Sequence, residues 1–432
     1  MKYRLYDIIL HLSLIILLPY FIFKMFTARK YREGIAERFG FLAEDKAKRL
    51  ANGPVIWFHA VSVGETKAVM PLVRLFKKKH PKAKIAFSTV TMTGNRVAKE
   101  EGKGLIDALF YFPLDLSWVG NRAVKKLRPA AFIVVEKEVW PNMIRRLVKN
   151  KVPVIAVNGT ISDRSFKRFK AFGFFFREIF AAFGFFCGRT KEDTDRAVKL
   201  GVESARAATT GNMKFDLALS EIKAPGLTDL KKALGVDGKT KLIVAGSTHD
   251  GEEEVMLSAF KALGLEFNDI RLVIAPRHPE RFASVERIIT RSGFSCSRRT
   301  SSSPDPAKVV LLDTMGELML AYSFADVAIV GGSFIDGIGG HNLLEPAVFE
   351  KPVVYGAYLS AYLGMAEMLN AAGGGFCVPD RHGALFEVLK RLISDESLRA
   401  TAGDAAKAVV EANRGAVKKT LDIIEDFLPK GM

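Results

Sequence analysis

The stretch VIWFHAVSVGETKAVMPLVRLFKKKH, residues 55–80, holds two patterns in succession. Residues 55–61 are an apolar run of the kind that forms a strand buried on both faces. From Gly64 the apolar positions recur with helical spacing, and Ser62, Val63 and Gly64 form the turn between the two patterns. A strand that turns directly into a helix is one unit of a parallel sheet covered by helices.

The unit repeats. KIAFSTV (84–90), FIVVEKEVW (132–140) and VPVIAVNGT (152–160) are predicted strands. A second series follows in KLIVAGSTHDGEEEVML (241–257), RLVIAPRHPER (271–281), KVVLLDT (308–314), DVAIVGGSF (326–334) and PVVYG (352–356). Between the series lies DLALSEIKAPGLTDLKK (216–232), which lacks a strand pattern and carries Pro225 and Gly226. The expected fold is therefore α/β, with two doubly wound, Rossmann-like domains facing a cleft. The expected boundaries are an N-terminal segment at 1–28, a first domain at 29–216, a linker at 217–232 and a second domain at 233–405. Residues 406–432 are expected to form a helix that packs back on the first domain.

The chain has 432 residues and a formal net charge of +17, with hydrophobic residues at 49%. A balance that basic favours anionic partners such as nucleic acid, acidic lipid surfaces or phosphorylated substrates. Cys187, Cys296 and Cys377 are isolated in sequence, which argues against a disulfide framework or a zinc cluster. Residues 5–23, LYDIILHLSLIILLPYFIF, are apolar apart from Asp7 and His11, about long enough to span a bilayer. Lys24, Arg29, Lys30 and Arg32 follow directly, so the positive-inside rule places the bulk of the chain in the cytoplasm behind a single N-terminal anchor.

In doubly wound sheets, ligands bind beyond the C-terminal strand ends. Glu65 opens the helix after the first strand, where it is either a capping acid held by the helix dipole or a general base kept ionised by it. Pattern alone leaves both readings open. Glu136 and Glu138 lie two apart at a predicted strand end and so share a face. They could orient an acceptor or bind backbone amides. Arg164 begins a segment in which Arg and Lys interleave with seven phenylalanines between Phe166 and Phe180. Such a segment suits a helix lying on anionic lipid, or stacking on single-stranded nucleic acid.

In the second series, Gly246, Ser247 and Thr248 sit at a strand-to-helix turn, where free amides could receive a phosphate. Arg277 and His278 follow the next strand, and an arginine there suits a phosphate oxygen. Met315 and Gly316, with Glu317 beside them, follow another strand, where backbone could touch a base or sugar. GGHNLLEP, residues 339–346, places His341, Asn342 and Glu345 at a further junction. Glu345 could take both hydroxyls of a ribose, and Asn342 could reach a phosphate or sugar. Neither GxGxxG nor GxxxxGK[ST] occurs. Asp193 and Asp195 have the spacing of a metal pair but read as helix-capping acids, so no metal and no cofactor are expected.

Seven motifs, in order, resemble those of the 3-deoxy-D-manno-octulosonic acid (Kdo) transferases of lipopolysaccharide synthesis. They are WFHAVSVGE, EKEVWPN, VNGTISDRS, GNMKFD, AGSTHDGEEE, PRHPER and GGHNLLEPAVFEKPVVYG. The resemblance implies a GT-B glycosyltransferase fold. It implies CMP-Kdo as donor in the C-terminal domain and a lipid A precursor, lipid IVA, against the N-terminal domain. It implies that Glu65, in the turn with Ser62 and Gly64, is the base that activates the acceptor hydroxyl for inversion at the donor. It sets Glu136, Glu138 and Arg164 on the acceptor side. Ser247, Arg277 and Asn342 then match the donor phosphate region, Met315 and Gly316 the cytosine side, and Glu345 the ribose side, with Thr248, His278, Glu317 and His341 beside them. Two departures stand out: FIDGIGGH is one residue longer than usual, and Asp163 stands where a Glu is common. An anionic membrane surface is the expected further partner, without nucleic acid. The alternatives are a GT-B transferase using a UDP-sugar, a sugar-nucleotide epimerase of the same twin-sheet fold, and a membrane-tethered nucleic-acid binder.

Overall fold

The computed structural model describes residues 2–27, 32–216, 227–301, 307–359, 362–379 and 383–429. Residues 217–226 of the expected linker lie outside the described residues, and 227–233 form the helix Leu227–Ala233. The chain divides into two compact units, Met1–Leu217 with Arg414–Met432, and Ala218–Asn413.

Unit 1 is built on seven strands: β1 (Val55–His59), β2 (Lys84–Thr89), β3 (Ala108–Tyr111), β4 (Pro129–Val135), β5 (Val154–Gly159), β6 (Phe185–Gly188) and β7 (Ala207–Thr209). They pair in parallel in the order β3-β2-β1-β4-β5-β6-β7. Alternate side chains of β1 enter opposite layers. Trp57 packs with Phe110 and Phe132 on one face, and Ile56 and Phe58 pack with Val69, Val73 and Phe76 on the other. Both faces being covered explains why β1 reads as a continuous apolar run.

The helix Ala416–Glu425 closes the second layer with Val417, Leu421 and Ile424. Asp216 receives the amides of Gly415 at 2.7 Å and Val417 at 2.6 Å, which caps the start of that helix. At the far end Glu425 bonds His80 at 2.7 Å and Lys79 at 2.5 Å.

Unit 2 repeats the plan with β8 (Lys241–Thr248), β9 (Ile270–Pro276), β10 (Cys296–Arg298), β11 (Val309–Leu311), β12 (Val327–Val330), β13 (Val353–Gly356) and β14 (Gly375–Val378). The parallel order is β10-β11-β9-β8-β12-β13-β14.

The predicted strand 132–140 ends early, at Val135. Glu136 takes φ 61°, a left-handed conformation that no strand continues through. The face-sharing argument for Glu136 and Glu138 therefore fails, because both lie in the turn beyond the strand.

The helix Lys2–Thr27 contains a segment, Lys2–Tyr20, long and apolar enough to cross a membrane by length and composition. Its first turns dock on unit 1. The Tyr3 hydroxyl donates to Phe175 O at 3.0 Å, and Asp7 accepts from the Ser117 hydroxyl at 2.7 Å and from Asn142 Nδ2 at 2.8 Å. Ile8, Leu12, Ile15 and Ile16 remain exposed.

Candidate functional site

In unit 1 the strand order reverses between β1 and β4, which opens a crevice at their C-terminal ends. Glu65 follows β1, and Glu136 and Glu138 follow β4. Ser62 caps the helix Val63–Lys79, its hydroxyl accepting from the Glu65 amide at 3.5 Å. The Glu65 carboxylate answers by receiving the Val61 amide at 2.7 Å and the Ser62 hydroxyl at 3.2 Å. This reciprocal arrangement is close to a capping box. Gly64 leaves the approach open, since a β-carbon there would meet nothing within 4 Å.

Capping does not make Glu65 an ordinary carboxylate. Burial pushes it up to about 7; the Val61 amide opposes the shift, and Glu136 and Glu138 add to it. The expectation that the helix dipole keeps Glu65 ionised thus gives way to burial beside two other acids. A carboxyl that exchanges its proton near neutrality is suited to general base work.

Glu136 lies 4.0 Å from Lys214 Nζ and 3.5 Å from Asn158 Nδ2. Asn158 also has a left-handed backbone, φ 53°, and its Oδ1 holds the Met213 amide at 3.1 Å. The GNMKFD segment is thereby tied to the ends of β4 and β5. Burial lowers Lys214, while the charges of Glu136 and Glu65 push it back up. Lys214 belongs to this group, yet sequence reasoning missed it. Its only signal was its place in a recurring motif. Glu138 is half-buried and raised by burial. Arg164 stands exposed on the helix Asp163–Ala171. Asp163 and Glu192 share Arg196. Asp193 completes a cap, receiving the Thr190 hydroxyl at 2.8 Å and the Ile161 amide at 2.7 Å.

Behind the crevice His59 is fully buried and stacked on Phe112, with ring centroids 3.8 Å apart. Its Nδ1 contacts Ser88 Oγ at 3.0 Å, and its Nε2 has no hydrogen-bond partner. Burial drives its pKa down to about 3.

In unit 2 the order reverses between β8 and β12. Ser247, one residue before the end of β8, takes φ 56° at a break in register with β9. Thr248 is fully buried and donates its hydroxyl to Glu253 at 2.7 Å, and Glu253 in turn holds Arg281 at 2.7 Å. Glu252, missed in the sequence, receives the amides of His249 at 2.9 Å, Gly332 at 2.8 Å and Phe334 at 3.0 Å. It ties the loop after β12 to the end of β8. Gly332 has φ 69°, and a β-carbon there would fall 2.7 Å from His341 Cδ2. The glycine is needed for both reasons.

His341 stacks on His249 with Nε2 atoms 2.8 Å apart, and His278 meets His249 edge-on at 5.4 Å between centroids. Burial lowers His249, and His278, Arg281 and Arg277 lower it further. Arg277 and His278 are exposed. Asn342 Oδ1 accepts the Leu344 amide at 3.2 Å, just ahead of a helix of one turn, Leu344–Ala347, carrying Glu345. Tyr362 feels the charges of both Glu345 and Arg277, so these two lie around one tyrosine. Met315 is 61% exposed, Gly316 has φ 90°, and Glu317 turns to Arg299 at 3.0 Å. Cations beside exposed backbone and a carboxylate can take an anion and hydroxyls together. No set of three or more His, Cys, Asp or Glu suited to a metal ion occurs among the described residues.

Residues 33–217 match the family model described as 3-Deoxy-D-manno-octulosonic-acid transferase (kdotransferase). A 3-deoxy-D-manno-octulosonic acid transferase from Haemophilus influenzae is 32% identical, covering 93% of each chain. One from Chlamydophila psittaci is 30% identical, covering 98% of this chain and 96% of its own. Among solved structures, MurG from Acinetobacter baumannii superposes with a TM-score of 0.57 at 13% identity, covering 87% of this chain and 99% of that one. A UDP-GlcNAc 2-epimerase from Neisseria meningitidis superposes with a TM-score of 0.56 at 11% identity, covering 86% and 99%. The last two show the twin-sheet GT-B fold alone. With identity above 30% along nearly its whole length, this chain belongs to the 3-deoxy-D-manno-octulosonic acid transferase family of glycosyltransferases.

Proposed function

We propose that the protein moves Kdo from CMP-Kdo to the lipid A precursor lipid IVA, with inversion at the donor carbon and without a metal ion or cofactor. One observation carries the reading. In a chain of this family, both sheets gather their unusual polar residues at the point where strand order reverses. In unit 1 that residue set is three carboxylates beside one lysine, and burial raises Glu65 among them to about 7. In unit 2 it is cationic, with a carboxylate beside it.

Glu65 removes the proton from the acceptor hydroxyl, and the oxygen attacks the anomeric carbon of Kdo as the bond to CMP breaks. Ser247, Arg277 and Asn342, with His278 beside them, steady the phosphate charge that develops on the leaving CMP. Glu345 takes the ribose, and the Met315–Gly316 backbone meets the cytosine. Lys214 and Asn158 hold Glu136 in place beside the base.

The exposed apolar side of the helix Lys2–Thr27 attaches the enzyme to the inner membrane, with both units on the cytoplasmic side. The net charge of +17 draws donor, acceptor phosphates and anionic lipid together.

The test is a mass spectrum of lipid IVA after incubation with the protein and freshly generated CMP-Kdo. A gain of one or more Kdo units is expected. An unchanged spectrum with folded protein and intact donor would overturn the reading, and competition between CMP and UDP for the protein would then decide whether a UDP-sugar is the donor.

A further inference from the structure

A groove of about 710 Å³ runs across unit 1 between the N-terminal helix Lys2–Thr27, the turn after β4 and the two phenylalanine-rich helices Asp163–Ala171 and Gly173–Ala181. Its walls are mostly apolar and include Tyr6, Ile9, Trp140, Phe169, Phe172 and Phe175. Lys2, Lys137 and Arg168 stand along it, and so does Glu138.

Three features set its occupant. First, Glu138 lines the groove and also lies close enough to Glu65 to raise its proton affinity, so one part of the groove adjoins the candidate base. Second, the groove continues into an exposed apolar stripe. Leu5 and Ile9 line it, and Leu12 and Ile16 follow on the same side of the helix, with exposures of 58, 51, 54 and 75%. Third, the walls are apolar while the flanking charges are mainly cationic. A neutral hydrocarbon would leave Lys137 and Arg168 without a counter-charge from the ligand, and a free anion would leave the aromatic walls wet. An amphiphile with an acyl chain and an anionic head satisfies both.

We propose that this groove receives an acyl chain of the lipid acceptor, with Arg168 and Lys137 taking its anionic head, so that the acceptor hydroxyl is delivered beside Glu138 and Glu65. The site rests on the lipid-acceptor reading above. It explains why a segment rich in both Phe and basic residues packs against the N-terminal helix. It also makes that helix part of the substrate site as well as an attachment.

The test uses the full chain and two acceptors, the acylated lipid and its chain-free sugar phosphate. Ile9→Trp and, from the opposite wall, Phe172→Trp narrow the groove. Each is expected to raise the ratio of KM for the acylated acceptor to KM for the chain-free one by about tenfold, the effect of excluding roughly two methylenes from an apolar site. An unchanged ratio in both variants, with transfer intact, overturns the groove and leaves the reaction standing.

A second readout needs no turnover. In a Trp118→Phe background the other indole, Trp57, is fully buried and out of reach of a contact quencher, so the quenchable emission reports Trp140 in the groove. A chain-brominated acceptor is expected to quench it, and the quenching is expected to fall in Ile9→Phe, which narrows the groove without adding an indole. If wild-type protein transfers to neither acceptor, the reaction reading fails, and this quenching alone decides the groove. Equal quenching by vesicles of brominated phosphatidylglycerol would overturn the acceptor as occupant and make the groove a contact for bulk membrane lipid.

Discussion

Glu65 makes two sets of interactions at once, and they can be separated. As a cap it needs an oxygen to receive the Val61 amide; as a base it needs an ionisable one. Glu65→Gln keeps the first and removes the second. We expect it to lose about 10²–10⁴ in kcat/KM with little change in melting temperature or donor affinity. A variant that turns over normally would remove the base role. In the wild type, kcat/KM should rise with pH through about 7, because the protonated carboxyl cannot accept the hydroxyl proton. A profile flat from pH 5.5 to 8 would count against Glu65.

His59 gives a stability test with the opposite use of a proton. Its folded pKa of about 3 lies below the unfolded value of 6.5, so between these limits the unfolded chain binds a proton that the folded chain refuses. Its contribution is therefore lost as pH falls below 6.5, at up to about 1.4 kcal/mol per pH unit. Urea midpoints measured at pH 7 and pH 5 should fall more steeply for the wild type than for His59→Gln; equal slopes would place the acid sensitivity elsewhere.

At the scale of elements, the decisive pieces are the junctions after strands. The sequence of the first one, with serine three residues before Glu65, is a legible cap because partner and donor are neighbours in the chain. The role of Glu252 is not legible. It follows from three amides, two of them on a loop that begins about eighty residues later. Strands such as AAT at β7 and CSR at β10 are equally silent, since three residues carry no period and pairing with a neighbour makes them strands. The terminal helix is similar. Apolar spacing marks it as a helix, but Asp216, some two hundred residues earlier, caps it. Asp216→Ala leaves the Gly415 and Val417 amides without that acceptor and should lower unfolding stability by about 1–2 kcal/mol. Faster hydrogen exchange confined to Ala416–Glu425 would locate the effect; unchanged exchange there would show that packing of Leu421 and Ile424 alone holds the helix.

At the scale of the molecule, charge and the exposed apolar helix act together on membranes. Binding to anionic vesicles should be strong at low salt and weaken between about 0.1 and 0.5 M, where screening shortens from about 10 Å towards 3 Å. A salt-resistant remainder should persist from the apolar side of the helix Lys2–Thr27. Equal binding to neutral and anionic vesicles at every salt concentration would show that the charge of +17 has no part in attachment.

By itself the sequence determined the class of fold, two series of strand-helix units, and the short list of strand-end residues. These depend on spacing between near neighbours, and spacing is written in the chain. It also set the apolar N-terminal segment and the basic balance, which are sums over residues. Only the tertiary structure decided the strand order, and with it which strand ends lie at the reversals. It alone decided that Glu136 turns left-handed, that Lys214 and Asn158 meet it, and that Glu65 titrates near 7. Each of these depends on distance and burial among residues far apart in sequence, and pattern does not encode either.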